Sequence, residues 1–503
     1  MQLSLHTPKP VQAVRQAPET RPAAVAAWLD ALAGKEPEEA AQRLVAELGR
    51  LNRSELDADL RARLAGLYEP VARRLIEELI ASLPENGTPQ SALHRQAANL
   101  AYELAVELAY AWKLVNLALQ DRRTLFGGAR ARQQALVHLL AALAGQITTS
   151  YRSYTAPPVH SWRELHQLYA AAAEEGIDGE TQYAGLSPAA LYTRTLLLAL
   201  ADPYRFTRPE IEATLAYLDR FGTLARLGKE GKRDKSVFAI DTAADSPARL
   251  DADGGARASL TLDTRALCKH LRSLVVKLQG GEAFRDLGLT DSAYKINGLH
   301  LFNRLYQAWR GGNKRGFKRY EPGLSHVEVV SGLPAIHRLF EAEAKASADS
   351  EAGPARWRVI NDSANGLAIS AHAQEVAQVR MGCPLALREQ NAQDAAWLLG
   401  VIRWGKMSKG QVVVAGVEKL SPDAFAVMLH FAEGPAAKLG QPALLLPANP
   451  VLQTAERLLL PPGLYQRGRV ADLWHKGERR CIGFGSLIEQ TTFFDIVEPI
   501  PVP

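Results

Sequence analysis

The feature that most constrains the fold is an apolar stripe. Leu100, Leu104, Leu108, Trp112, Val115 and Leu119 follow one another at steps of three and four, which is the spacing of one helix face and not of a strand. The sequence around it, from residue 23 to about 227, is rich in Ala, Leu, Glu and Arg and keeps helical spacing throughout, as residues with high helix propensity should. One helix is predicted to open at Pro37-Glu38-Glu39, one to run over 55–83, and one from about 89 through the stripe. Gly127-Gly128 breaks the pattern before a helix over 129–149. Ser161, with Glu164 three residues on, reads as an N-cap. Ser187-Pro188 starts a further helix that Asp202-Pro203 ends, and 209–221 makes the last of the series. Residues 1–22 hold Pro8, Pro10, Pro18 and Pro22 without periodicity and read as a loose tail.

The texture changes at 228–235, a polar run GKEGKRDK that closes a helical domain of 23–234. Strand-like runs at 237–241 and 258–263, then helical patterns at 265–279 and 291–309, make a short mixed α/β connector over 235–309. Beyond Gly311-Gly312 the chain turns mostly β. Strand-like runs lie at 326–330, 356–360, 366–370, 398–404, 411–417 and 424–430, then at 443–446, 464–473, 480–486 and 493–497, with a helical insertion at 334–347. Short strands punctuated by Gly and Pro suggest a barrel or sandwich. The expected class is α+β multidomain: an all-α N-terminal half, the short mixed connector and a β second half.

Several function classes are disfavoured. Among 503 residues, 47% are hydrophobic and 22% charged, as in an ordinary globular protein. A net charge of +5 is too small by itself to argue for nucleic acid. Cys268, Cys383 and Cys481 stand far apart, with no spacing that suggests a disulfide framework or a zinc site. The first residues lack the charged-then-apolar pattern of a signal peptide. The most apolar long segment, 98–119, carries Glu103, Glu107 and Lys113, so no membrane span is expected and the compartment reads as cytoplasmic. GxSxG, HExxH and GxGxxG do not occur, and in GGNKRGFK Phe317 stands where a phosphate loop needs lysine. Carboxylate pairs such as Glu38/Glu39 and Glu174/Glu175 fit solvated helix faces. No catalytic residue, metal or cofactor is expected, and the chain reads as a non-enzyme.

Two short stretches carry the chemistry. In Lys314-Arg315-Gly316-Phe317-Lys318-Arg319, two arginines sit four apart around a glycine. Guanidinium forks grip phosphate and stack on planar bases. In Asn361-Asp362-Ser363-Ala364-Asn365-Gly366, short polar side chains precede a glycine that permits positive φ or a close ligand approach. Taken singly, each reads first as something plainer: a solvated basic connector, and a β-turn between two strands.

Taken together, Arg315-x-x-x-Arg319 and Asn361-x-Ser363-x-x-Gly366 resemble the PilZ family, whose signature is RxxxR followed by [D/N]xSxxG. Val359-Ile360 before the turn, Leu367-Ala368-Ile369-Ser370 after it, and the runs at 400–404 and 413–420 are similar to the family's barrel strands. The resemblance spans about 310–430 and implies a small antiparallel β-barrel over 310–434 that binds cyclic di-GMP, with 435–503 left as an extra β segment or small second barrel. It implies Arg315 and Arg319 on phosphate and guanine, and Asn361, Ser363 and Gly366 as the turn facing a guanine. Lys314, Lys318, Asp362 and Arg403 are secondary candidates. A basic residue such as Lys314 accompanies two stacked ligand molecules in the family, so 1:1 and 2:1 stoichiometry both remain open. The motifs are separated by 320–360, longer than in compact members, with the excess placed at 332–354. The implied protein is a cyclic di-GMP receptor that changes conformation on binding and regulates an unidentified protein partner through its helical half. The alternative is a PilZ-like scaffold or nucleic-acid adaptor that uses the same basic patch without the ligand.

Overall fold

A computed structural model describes residues 3–9, 17–89, 91–121, 128–180, 183–229, 235–250, 259–283, 285, 298–312, 326–345, 354–375, 379–390, 396–408, 411–432, 440–449 and 454–502. They form two compact units: Met1–Glu85 with Pro89–Lys314, and Asn86–Thr88 with Arg315–Pro503.

The first unit starts with helices α1 (Pro22–Leu32), α2 (Pro37–Asn52), α3 (Ala58–Ala81), α4 (Ala92–Asp121), α5 (Gly128–Arg152), α6 (Ser161–Glu174), α7 (Pro188–Leu200) and α8 (Arg208–Phe221). The stripe on α4 is buried along its length, with Leu104 and Val115 fully enclosed. A four-stranded antiparallel sheet follows, β1 (Arg226–Gly228), β2 (Val237–Ile240), β3 (Arg249–Leu250) and β4 (Leu260–Asp263), in the order β1-β4-β2-β3. Then come α9 (Arg265–Gln279) and α10 (Gly298–Trp309).

Two expectations need correction here. The connector is not a separate domain, because Leu262, Leu271, Phe302 and Trp309 belong to the same hydrophobic core as the helices. The Trp309 indole N–H also donates to the Leu197 carbonyl on α7. Nor are residues 3–9 a loose tail. Leu3 is buried in the helical core, and the His6 carbonyl accepts from Lys113 Nζ, whose charge is paired with Glu164 at 2.6 Å. That buried ion pair supplies polar partners for a segment whose prolines suggested none.

The start of α6 differs in mechanism. Ser161 is its first helical residue, and the preceding His160 has φ +77° with no capping side chain of its own. The cap comes from far downstream: the Asp245 carboxylate accepts from the backbone N–H groups of His160 and Trp162 at 2.6 and 3.0 Å. Glu164 is committed to Lys113 instead.

The second unit contains two closed barrels. β5 (His326–Ser331), β6 (Ala355–Ser363), β7 (Gly366–His372), β8 (Pro384–Glu389), β9 (Leu398–Ser408) and β10 (Val412–Ser421) close in the order β10-β7-β6-β5-β8-β9. Helix α11 (Leu333–Lys345) is inserted after β5. The second barrel is β11 (Phe425–His430), β12 (Gln441–Leu446), β13 (Arg457–Leu460), β14 (Val470–His475), β15 (Glu478–Gln490) and β16 (Asp495–Pro501), in the order β11-β12-β13-β16-β15-β14. Every strand pair is antiparallel.

The expected boundary at 434 therefore moves. β10 closes the first barrel against β7, so β11 has no free edge to join there and pairs with β12 and β14. The extra β segment becomes a complete barrel of its own. β8 and β13 were not expected; both are short apolar runs, which periodicity alone does not separate from other buried segments. The run at 464–473 contributes only its end to β14. Leu333, Ile336 and Phe340 of α11 share one core with Leu399 and Val401 of the first barrel and Leu444, Leu459 and Ile496 of the second. The two barrels are thus packed together through the insertion. Among the described residues, no helix is long and apolar enough to cross a membrane.

Candidate functional site

The turn at 361–366 joins β6 to β7 and is shaped by a β-bulge. Val359 pairs with Ile369, but the next pair is Asn361 with Ala368, so Ile360 is an extra residue on β6. Val359 and Ile369 point into the barrel core. One inserted residue reverses the alternation that follows. Asn361, which regular pleating would face inward, takes the outer side with Ala368, and Ser363 follows it opposite Gly366. Among the described residues the Asn361 carboxamide has no hydrogen-bond partner, although its neighbours are tied down.

Those ties are specific. Ser363 Oγ donates to the Gly366 carbonyl at 2.7 Å, and the Ser363 N–H donates to Asp362 Oδ1 at 2.7 Å. Lys419 of β10 holds the turn from the side: its Nζ reaches Asp362 Oδ1 at 2.7 Å and the Ser363 carbonyl at 3.0 Å. The Lys419 N–H also donates to the Asn365 carbonyl at 2.9 Å. Asp362 is therefore occupied in positioning the turn. Lys419 was not among the expected residues; a lone lysine within a strand run carries no local signal of the turn it will meet.

Gly366 is needed for a reason other than positive φ. It is not one of the glycines with left-handed backbone. A Cβ at Gly366 would lie 2.5 Å from the Val417 carbonyl oxygen of β10. The close approach is between neighbouring strands of the barrel itself.

Arg403 lies elsewhere in the fold's logic. Its Nε bonds Glu418 Oε2 at 2.5 Å, and its two terminal nitrogens engage Glu489, with Nη2–Oε2 at 2.9 Å. Burial by itself would lower the Arg403 pKa, but the Glu489 hydrogen bonds and both carboxylate charges outweigh it and raise the value. The guanidinium joins β9 and β10 of the first barrel to β15 of the second.

Arg358, also unforeseen, is exposed on β6 and directly opposite Ser370 and His326. It lies on the outer side to which the bulge turns Asn361, and it has no ion-pair partner among the described residues. The nearby outward pair Glu328–Arg388 is closed at 2.7 Å, with Arg388 stacked 4.4 Å from the Trp397 ring. Lys314, Arg315, Lys318 and Arg319 lie outside the described residues, in the stretch that joins Gly312 to His326, the first residue of β5.

Comparison with known proteins gives three consecutive family matches. Residues 23–232 match the N-terminal domain of the cyclic-di-GMP receptor FimW, 338–425 its middle PilZ domain, and 432–498 its C-terminal β-barrel domain. The middle match holds the 361–366 turn and ends where the first barrel closes; the basic stretch 314–319 lies before it. The cyclic-di-GMP receptor FimW of Pseudomonas aeruginosa is 23% identical over 565 aligned positions, which cover 95% of this chain and 90% of that protein. With a helical domain, a PilZ barrel and a second barrel matched in that order, the chain belongs to the FimW family of PilZ-domain cyclic-di-GMP receptors.

Proposed function

We propose that this protein binds cyclic di-GMP on the outer face of its first barrel and acts as a receptor without catalytic activity. The observation that carries the reading is the Ile360 bulge, which presents an unpartnered Asn361 carboxamide outward beside a turn braced by Lys419. A carboxamide offers both a donor and an acceptor, which suits the edge of a guanine. Ser363 and Gly366 shape the turn, and Arg358 supplies a cation on the same face. Arg315 and Arg319, with Lys314 and Lys318 beside them, supply the grip on phosphate and the second guanine face.

Chain length permits that arrangement. Arg319 is seven residues ahead of His326, a tether of at most about 25 Å. His326 pairs with Arg358, and the three strand residues from there to Asn361 cover about 10 Å. In this reading Asp362 positions the turn and Arg403 holds the two barrels together; neither touches the ligand.

The arginine stretch also joins the helical unit to β5. Closing it on a ligand would change the freedom of that joint, and the helical unit would pass the change to a protein partner in the cytoplasm. Calorimetric titration of cyclic di-GMP into wild type, Arg315→Ala/Arg319→Ala and Asn361→Ala tests the binding. Saturable binding that the double variant abolishes and Asn361→Ala weakens is expected. Equal binding by all three proteins, or binding of oligonucleotides with steep salt dependence in place of the dinucleotide, would overturn it.

A further inference from the structure

Residues 3–9 occupy a groove of the helical unit, and the way they are held says what else that groove can take. Helices α4 and α6 both pack on α5, and the channel between them has α5 as its floor. Leu136 of α5, Asn116 and Gln120 of α4, and Ala171 of α6 line it around Leu3. Leu3 is buried there, and Leu5 packs half-buried against the same core. Ser4 and His6 are exposed. That alternation is the period of an extended strand laid with one face down.

The polar grip falls on the main chain. The Ser4 N–H donates to Gln167 Oε1 at 3.1 Å and the His6 N–H to Glu164 Oε1 at 2.5 Å, acceptors three residues apart on one face of α6. From α4, Lys113 Nζ donates to the His6 carbonyl at 3.2 Å. Backbone groups are the same in any sequence, so the occupant's identity is read chiefly through the two apolar side chains.

Two features set this seat apart from permanent core. The Lys113–Glu164 ion pair, at 2.6 Å and almost wholly enclosed, bridges the groove directly against the segment. A charged pair is a poor filler for a permanent core, because an apolar pair of the same size stabilises as well or better. Under an exchangeable occupant, the same pair keeps the groove compatible with water once the occupant leaves. The cleft also runs on past Leu3, with a volume of about 220 Å³, among Arg132, Glu174 and Glu175. The groove is therefore longer than the segment described in it. One buried leucine, one half-buried leucine and these hydrogen bonds are set against the entropy of ordering the segment, terms of the same order, so residues 3–9 are seated without being locked.

We propose that this groove is the helical unit's docking site for a protein partner, entered by an extended segment with apolar side chains two residues apart, and that residues 3–9 hold it in cis as a built-in competitor. The partner's two apolar side chains take the places of Leu3 and Leu5, and its backbone takes the hydrogen bonds of Gln167, Glu164 and Lys113. An attached competitor acts at a high effective concentration, so the groove opens only to a segment that binds better than the chain's own. The inference rests on the receptor reading only in taking a protein partner to exist. Peptide binding is measured without cyclic di-GMP, so its failure is distinguishable from failure of the barrel site.

Fluorescence anisotropy on the full chain tests it with two labelled peptides: residues 2–10 of this chain, and a host peptide GSLSLSGS that keeps the two leucines and their spacing. Leu3→Asp releases the cis segment. Both peptides should bind Leu3→Asp saturably, and wild type at least about tenfold more weakly because it carries its own competitor. Adding Gln167→Ala, a half-buried position, should weaken both peptides about fivefold, the worth of one hydrogen bond. Serines in place of both host leucines should abolish binding. If Leu3→Asp melts well below wild type, Leu3→Ala is the milder release, with the same order of affinities expected. Absence of binding to the folded released variant would overturn the proposal, as would equal binding by wild type or undiminished binding with Gln167→Ala. Binding of the chain's own peptide but not of the host would also overturn it, marking the groove as a private seat for residues 3–9. A concentration-dependent wild-type dimer in sedimentation that Leu3→Asp abolishes would assign the groove to a second copy instead.

Discussion

Replacing Arg403 with methionine separates a structural role from a ligand-binding one. The side chain is 23% exposed, Glu489 19% and Glu418 46%. Methionine keeps most of the buried stem but leaves two carboxylates facing each other across the junction of the barrels. Arg457 is close enough to attract both electrostatically, so the junction is left one charge negative, not two. Breaking a fully buried ion pair by removing one partner costs about 3–5 kcal/mol; with Glu418 half in solvent, about 2–3 kcal/mol is expected here. For a unit of this size that corresponds to a Tm loss of roughly 5–10 °C. Because α11 packs against both barrels in one core, the loss should appear as one cooperative transition of the whole unit. The defect arises from two carboxylates left without Arg403, so Glu489→Gln in the same chain should recover part of it. Thermal melts by circular dichroism of the single and double variants, with cyclic di-GMP titration of the folded protein, check all of this. Ligand affinity should be unchanged. A Tm equal to wild type would refute the energetic argument, and lost affinity at undiminished Tm would return Arg403 to the ligand site.

Other residues make equally definite demands. Gly366→Ala places a methyl carbon 2.5 Å from a backbone oxygen, so β7 and β10 must separate locally; a loss of about 1–3 kcal/mol in urea melts is expected, with weaker cyclic di-GMP binding. Lys419→Met removes the brace on Asp362 and Ser363; the pair is partly exposed, so about 1 kcal/mol or less is expected in stability, while calorimetry should show a several-fold loss of affinity because the turn is less well held. Glu69 is buried, which alone would raise its pKa, but hydrogen bonds from His138 and Tyr183 and the Arg73 charge pull it down to about 2. A depressed carboxylate contributes stability that is fully present above its ordinary value of 4.5 and lost as pH falls toward 2. Acid melts of the helical unit should therefore lose about 3 kcal/mol across that window in wild type, and Glu69→Gln should flatten that part of the curve. Asp245→Ala uncaps α6 and should lower the Tm by an amount equivalent to about 1 kcal/mol.

Much of the architecture was readable from spacing because the forces that set it are local. The stripe on α4, the Ser187 cap of α7 and the Asp202-Pro203 stop depend on residues within a turn or two of each other. The turn at 361–366 was readable for the same reason: a short polar run ending in glycine between apolar runs is a turn in nearly any context. By contrast, β11 was assigned to the wrong barrel. Strand pairing is decided by which edges remain free after closure, and no window of ten residues contains that information.

The sequence by itself determined most of the helices and strands, that the second half is β, and the two motifs that resemble the PilZ signature. Tertiary structure decided what those residues do. The unpaired Ile360 exists only because β7 sets the register of β6, and it alone turns Asn361 outward. Lys419 braces Asp362 from 57 residues away, and Glu489 claims Arg403 from 86. Partners so distant in the chain leave no trace in local spacing, since a salt bridge depends on where folded strands bring two charges and not on the residues beside either one.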